Sequence, residues 1–138
     1  MLKAVLDTNI LISALIWRGA PYHCLLSAQA GLYELVISEE ILAELSKVLV
    51  RKFKIENERV EEFVALVRRT SRLASPAGSI RIIMDDPSDD MIIATAVSAQ
   101  ADFIITGDHH LLRIKKYQNL RIIKAAEFLK TYLKFQKH

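Results

Sequence analysis

Acidic residues stand at the ends of two apolar segments of this 138-residue chain. Asp7 follows residues 2–6 and Asp108 follows residues 103–106, and the composition of both runs predicts buried β-strands. The carboxyl ends of neighbouring parallel strands meet at one edge of a sheet, about 4.8 Å apart. If these two strands are neighbours, their two carboxylates can share one site.

Further acids lie on predicted helices. Glu44 falls at the border of the apolar stripe of a helix capped by Ser38, and Asp89 and Asp90 lie in the first turn of a helix that begins near Pro87. A helical wheel places both aspartates toward the sheet-facing side of that helix. Periodicity therefore does not choose between Asp89 and Asp90 as a third acid beside Asp7.

The residue types favour a hard metal ion over zinc. Carboxylates held close together need a counter-ion, and an all-oxygen set suits Mg²⁺ or Mn²⁺. Cys24 is the single cysteine, which makes a thiolate site unlikely on composition and favours a buried hydrophobic role for it. Such ions activate water for phosphodiester hydrolysis, and a carboxylate outside the inner shell can act as general base.

Each acidic or polar residue also has a simpler structural interpretation. Strand-terminal aspartates are often turn or cap residues, and Thr8 and Asn9 are good N-cap types for the first helix. Thr106 fits a strand hydroxyl that orients Asp7 or Asp108, and Asn9 fits a residue that braces the first loop. The combination of residues, rather than any one of them, predicts a metal site.

The order of elements predicts an α/β fold. Strands are expected at residues 2–6, 33–37, 80–84, 103–106 and 120–123, with helices between them and a turn at residues 75–79. This alternation predicts a three-layer α/β/α sandwich with a parallel sheet. The length fits a single domain spanning residues 1–138.

The positive charge is concentrated near the C-terminus. Residues 109–138 carry eight Lys or Arg side chains against one acid, Glu127. A basic flank beside an acidic pocket suits a polyanion such as RNA, with Arg113, Lys115 and Lys116 as candidate contacts. An ordinary solvated surface explains the charge equally well. No apolar run is long enough to span a bilayer, which predicts a cytoplasmic protein without a membrane segment.

Four motifs in order resemble the PIN domain family, and among its members the VapC-like toxins of toxin–antitoxin pairs. They are VLDTNILISAL at the N-terminus, SEEILAELSKVL in the third helix, DDPSDDMIIATAVSAQADFIITGDHHLL, and a final strand and helix. The likeness extends from about residue 3 to residue 133.

The resemblance implies a sheet in the order 3-2-1-4-5 and a Mg²⁺- or Mn²⁺-dependent endoribonuclease. Its acidic quartet falls on Asp7, Glu44, Asp90 and Asp108, and its polar turn residue falls on Thr106. The resemblance thus favours Asp90 over Asp89. It also implies a homodimer and a small antitoxin partner.

Two other functions fit the residues less well. One is an RNA-processing PIN nuclease without an antitoxin. The other is a non-catalytic metal-binding or receiver-like regulatory module, which also collects aspartates at the carboxyl edge of a parallel sheet. A receiver would have an acidic pair after the first strand, where Asp7 stands alone, and an aspartyl phosphatase would have a second Asp at the position of Asn9.

Overall fold

A computed structural model of the chain describes residues 1–76 and 87–133. Within them the strands are β1 (Lys3–Leu6), β2 (Glu34–Ile37), β3 (Arg72–Leu73), β4 (Phe103–Ile105), β5 (Lys116–Tyr117) and β6 (Leu120–Ile123). The helices are α1 (Thr8–Ile16), α2 (Gly19–Gln29), α3 (Glu39–Arg51), α4 (Asn57–Thr70), α5 (Pro87–Ser98), α6 (His109–Ile114) and α7 (Ala125–Glu127), which continues into a π-helical turn (Phe128–Tyr132).

The strands of the described residues form one sheet in the order β3-β2-β1-β4-β6-β5. The pairs from β3 to β6 are parallel, and β5 is an antiparallel edge strand. Leu6 is in register with Ile105, and Ile105 with Ile123, so β1, β4 and β6 end at the same level. This alignment brings the residues that follow the three strands to one edge of the sheet.

Side chains from both faces of the sheet are buried. Ala4, Val5 and Leu6 of β1 have no exposed surface, which is the expected state of a parallel strand covered by helices on both sides. The amphipathic helix α3 buries Ile41, Leu45 and Leu49 and packs against α1 and α4. Helix α5 packs against β1, β4 and α3, which fixes its first turn near the carboxyl edge of the sheet.

The α/β class and the mostly parallel sheet are confirmed, and the strand order differs in two details. A two-residue strand that the sequence does not predict, Arg72–Leu73, pairs with β2 in the described part of the chain. The predicted strand at residues 80–84 lies outside the described residues, as does most of the predicted turn at 75–79. The edge strand β5 was not predicted, because two residues are too short to show a period of alternation.

Among the described residues, no helix is both long and apolar enough to cross a membrane.

Candidate metal centre

Asp7 is a buried carboxylate that is anchored at both oxygens. It extends the β1 ladder by donating its N–H to the carbonyl of Ile105, and its Oδ1 accepts the backbone N–H of Ile10 at 2.9 Å. Its Oδ2 accepts a hydrogen bond from the hydroxyl of Thr106. Asp7 is therefore the N-cap of α1, and the prediction that Thr8 or Asn9 caps this helix is wrong. The cap role and the site role fall on one residue.

The environment of Asp7 disfavours its charged form. Its pKa rises from 3.8 to about 6, chiefly because burial removes water from the carboxylate and, less strongly, because Asp108 is negatively charged. The hydrogen bonds from Thr106 and from the backbone N–H groups of Ile10 and Asn9 act in the opposite direction. A buried acid whose pKa is raised and which lies beside a second acid is typical of a functional site, and a bound cation would stabilise its charged form.

Thr106 connects the two strand-end aspartates. Its fully buried hydroxyl donates to Asp7 and accepts the backbone N–H of Asp108 at 3.0 Å. Asp108 in turn caps α6, with its Oδ1 accepting the N–H of His110 at 2.8 Å. One threonine therefore fixes the side chain of one acid and the backbone of the other.

Four carboxylates line one small cavity at this edge of the sheet. The cavity has a volume of about 50 Å³, and its acidic lining residues are Asp7, Glu44, Asp89 and Asp108. Glu44 reaches it from the second turn of α3 and is half-buried, whereas Asp89 reaches it from the first turn of α5 and is buried. The exposed Asn9 also lines the cavity, so it lies at the site although it is not a cap.

Asp90 is placed differently from its neighbour. It is half-buried and is not among the residues that line the cavity. Its Oδ1 is buried and has no hydrogen-bond partner among the residues that the structure describes. Sequence periodicity leaves Asp89 and Asp90 equivalent, whereas in the structure Asp89 lines the cavity with the other three acids and Asp90 does not.

The donor set fits a hydrated Mg²⁺ or Mn²⁺. All four acidic side chains at the cavity offer oxygen ligands, and the cavity has room for an ion with little more than its nearest waters. In the described part of the chain, no three Asp, Glu, His or Cys side chains are arranged so that they would hold one ion by themselves. An ion would thus be held by carboxylates together with several waters, as is usual for Mg²⁺.

The predicted RNA contacts lie to one side of the cavity. Arg113 is exposed on α6, and Lys115 and Lys116 are exposed at and beside the start of β5. Lys116 pairs in register with Arg121, which lies at the end of β6 that is far from the acidic edge. None of the three is among the residues that line the cavity.

A mostly parallel sheet with acidic residues beyond its carboxyl edge defines the class of α/β proteins whose ligand site lies at that edge. Residues 3–110 match the model of the PIN domain, and the chain belongs to this family. Membership implies nuclease activity in general terms. A relative, the uncharacterized protein MJ1680 of Methanocaldococcus jannaschii, is 26% identical over 97% of this chain and 94% of its own length.

Two solved structures share the fold. A chain of VapBC2 from Rickettsia felis, bound to a DNA fragment from the promoter, is similar with a TM-score of 0.63 and 20% identity, over 88% of this chain and 97% of that one. A chain of VapBC-1 from nontypeable Haemophilus influenzae is similar with a TM-score of 0.61 and 21% identity, over 91% of this chain and 99% of that one. Both likenesses show the fold, which agrees with the architecture expected from the sequence.

Proposed function

We propose that this chain is a metal-dependent endoribonuclease that acts as the toxin of a toxin–antitoxin pair. The observation that carries the proposal is the convergence of Asp7, Glu44, Asp89 and Asp108 on one cavity at the carboxyl edge of the sheet. Carboxylates from four separate parts of the chain repel one another in so small a cavity, and a bound cation would offset that repulsion. Membership of the PIN family supports nuclease chemistry at this cavity.

The acidic residues at the cavity would have different roles in hydrolysis. Mg²⁺ or Mn²⁺, when bound, would lower the pKa of an attacking water and neutralise charge on the leaving oxygen. Asp7 and Asp108 would hold the ion, since Thr106 fixes both at adjacent strand ends. Asp89 would complete the binding set in place of Asp90. Glu44, half-buried on α3, would position the attacking water or accept its proton.

The RNA substrate and the protein partner extend the proposal. The exposed cations Arg113, Lys115 and Lys116 would attract the RNA backbone over a distance rather than contact the cleaved phosphate. The similar folds in two VapBC complexes support a small antitoxin as partner. A homodimer in the cytoplasm is the corresponding expectation for the assembly.

The test is cleavage of total RNA with Mg²⁺, Mn²⁺ or a chelator. Wild type should cleave with either ion and not with the chelator, and Asp7→Asn and Asp108→Asn should each lose at least about a hundredfold in rate, as expected for a lost group that acts in the transition state. Both variants keep a side chain that can cap the helix that follows, so they should remain folded, which circular dichroism can verify. Undiminished cleavage in both variants would remove the proposed site.

The toxin role needs its own experiment. Expression of the wild-type chain in a bacterial host should arrest growth, and expression of Asp108→Asn at the same level should not. Growth arrest by both would mean that toxicity does not depend on the acidic cavity. RNA cleavage in vitro without growth arrest would favour the RNA-processing nuclease over the toxin.

A further inference from the structure

One basic residue of the C-terminal flank, Lys124, lies at the acidic edge of the sheet. It directly follows β6, whose last residue, Ile123, is in register with Ile105 of β4. The carbonyl of Ile123 accepts the backbone N–H of Thr106 at 3.0 Å. Lys124 therefore stands one strand, or about 4.8 Å, from the segment that carries Thr106 and leads to Asp108.

The side chain of Lys124 is available for a ligand. It is exposed, and within the described residues it takes part in no ion pair or hydrogen bond. The ion pairs of the described chain instead join Arg68 to Glu39 and Arg72 to Glu34, away from the cavity. Because its side chain has no acidic partner among the described residues, the charge of Lys124 is free for an anion.

Lys116, another cation of the flank, is further from the acidic edge. Lys116 is in register with Arg121, which precedes Lys124 by three residues along β6. At about 3.3 Å per residue, this places Lys116 roughly 10 Å further from the acidic edge than Lys124. Lys124 and Lys116 are thus two exposed lysines of one flank that lie at different distances from the acidic edge.

We infer that Lys124 binds an RNA phosphate next to the one that is cleaved, and so positions the strand over the acidic cavity. The inference depends on the proposed nuclease function and names the residue that meets the substrate there. The physical need is clear, because four carboxylates repel an RNA backbone as well as one another, and a single ion does not offset that repulsion along neighbouring phosphates. Lys124, one strand away from Thr106, would offset the repulsion of a neighbouring phosphate at short range.

The test compares Lys124→Ala with Lys116→Ala, which removes the same charge from the same flank. Binding of a 20-nucleotide single-stranded RNA is measured by fluorescence anisotropy in a chelator, and KM and kcat are measured with Mg²⁺. Lys124→Ala should raise Kd and KM about five- to tenfold, leave kcat within about twofold, and reduce the slope of log Kd against log salt by about 0.7, the loss of one phosphate contact. Lys116→Ala, which removes a charge that attracts RNA only over a distance, should raise Kd and KM by a smaller factor, about twofold.

A conservative variant and a stability control complete the design. Lys124→Arg should recover binding to within about threefold of wild type, and thermal melting should show that Lys124→Ala is as stable as wild type. Equal effects of Lys124→Ala and Lys116→Ala, no effect of Lys124→Ala, or a loss confined to kcat would each overturn the inference. The wild-type protein could also fail to cleave RNA with either metal while Lys124→Ala still binds RNA more weakly than wild type and Lys116→Ala. That result would support the phosphate contact and contradict the nuclease function.

Discussion

At the scale of single residues, the acidic edge depends on which of two adjacent aspartates reaches the cavity. The buried Asp89 lines it together with Asp7, Glu44 and Asp108, whereas Asp90 does not. The family resemblance assigns the third acid to Asp90. The lining of the cavity favours Asp89, and a matched pair of variants separates the two assignments.

We predict that Mn²⁺ stabilises Asp90→Asn nearly as much as wild type and stabilises Asp89→Asn much less. An ion that binds only the folded state raises the melting temperature, and the rise shrinks when a ligand is lost. The measurement is the melting temperature with Mn²⁺ minus that with a chelator, for each protein. The reverse pattern would restore Asp90 as the ligand.

Thr106 is the residue whose single hydroxyl serves two acids. Thr106→Val keeps the shape of the side chain but leaves the N–H of Asp108 unpaired and removes a hydrogen bond to buried Asp7. We predict a loss of about 1–3 kcal/mol in the free energy of unfolding, the usual cost of an unsatisfied buried group. Chemical denaturation measures this loss, and Thr106→Ser should recover most of it.

The same variant should move the acid limb of the pH–rate profile to higher pH. The hydrogen bond from Thr106 lowers the pKa of Asp7, so its removal raises the pH at which Asp7 loses its proton. The profile of kcat/KM between pH 5 and pH 8 reports the change. An unchanged acid limb in Thr106→Val would mean that Asp7 does not control it.

At the scale of elements, α3 positions Glu44 through the way the helix begins. Ser38 has no exposed surface, and its Oγ accepts the N–H of Ile41 at 3.2 Å, which caps the helix directly after β2. The helix then buries Leu45, the neighbour of Glu44, in the core. The cap and the apolar stripe together fix where the carboxylate of Glu44 can reach.

We predict that Ser38→Ala lowers the free energy of unfolding by about 1 kcal/mol, as the loss of an N-cap acceptor usually does. Ser46 is the matched control, because it lies within the same helix and alanine is a better helix former than serine. Ser46→Ala should change stability by less than about 0.5 kcal/mol in either direction. Urea denaturation of both variants gives the comparison, and equal losses would contradict the cap role.

The elements also show which parts of the fold the sequence could predict. β1, β2, β4 and β6 are apolar runs bounded by turn or cap residues, so their positions follow from composition. The strands β3 and β5 have two residues each and were missed, because they exist through pairing with β2 and β6 and carry no periodic pattern of their own. The first helix was predicted with the wrong cap, since Asp7 was assigned only to the strand end.

At the scale of the whole molecule, burial of Asp7 makes its charged carboxylate unfavourable in the folded state. The folded-state pKa of Asp7 is raised to about 6, so the folded protein holds the proton more tightly than the unfolded chain does. The protonated Asp7 side chain therefore contributes to the free energy of unfolding below about pH 4, and this contribution is lost as the pH rises through 6. At neutral pH the metal-free protein therefore carries the cost of a buried, ionised carboxylate.

We predict that Asp7→Asn becomes progressively more stable relative to wild type as the pH of the metal-free protein rises from 4 to 7. A shift of about two pKa units corresponds to roughly 2–3 kcal/mol in this difference. Denaturation in a chelator at several pH values measures it. The difference should shrink when Mn²⁺ is added, and a difference independent of pH would contradict burial of the ionised carboxylate as its cause.

The sequence by itself determined the α/β class, the main strands and helices, and the presence of Asp7 and Asp108 at strand ends. These follow from local composition, because a buried strand, its terminal residue and a helix start are each written within a few consecutive residues. Only the tertiary structure decided that Asp89 rather than Asp90 lines the cavity, that Thr106 joins two acids, and that Lys124 lies nearer to them than Lys116. Those relations depend on strand register and helix packing between residues far apart in the chain, which no local pattern encodes.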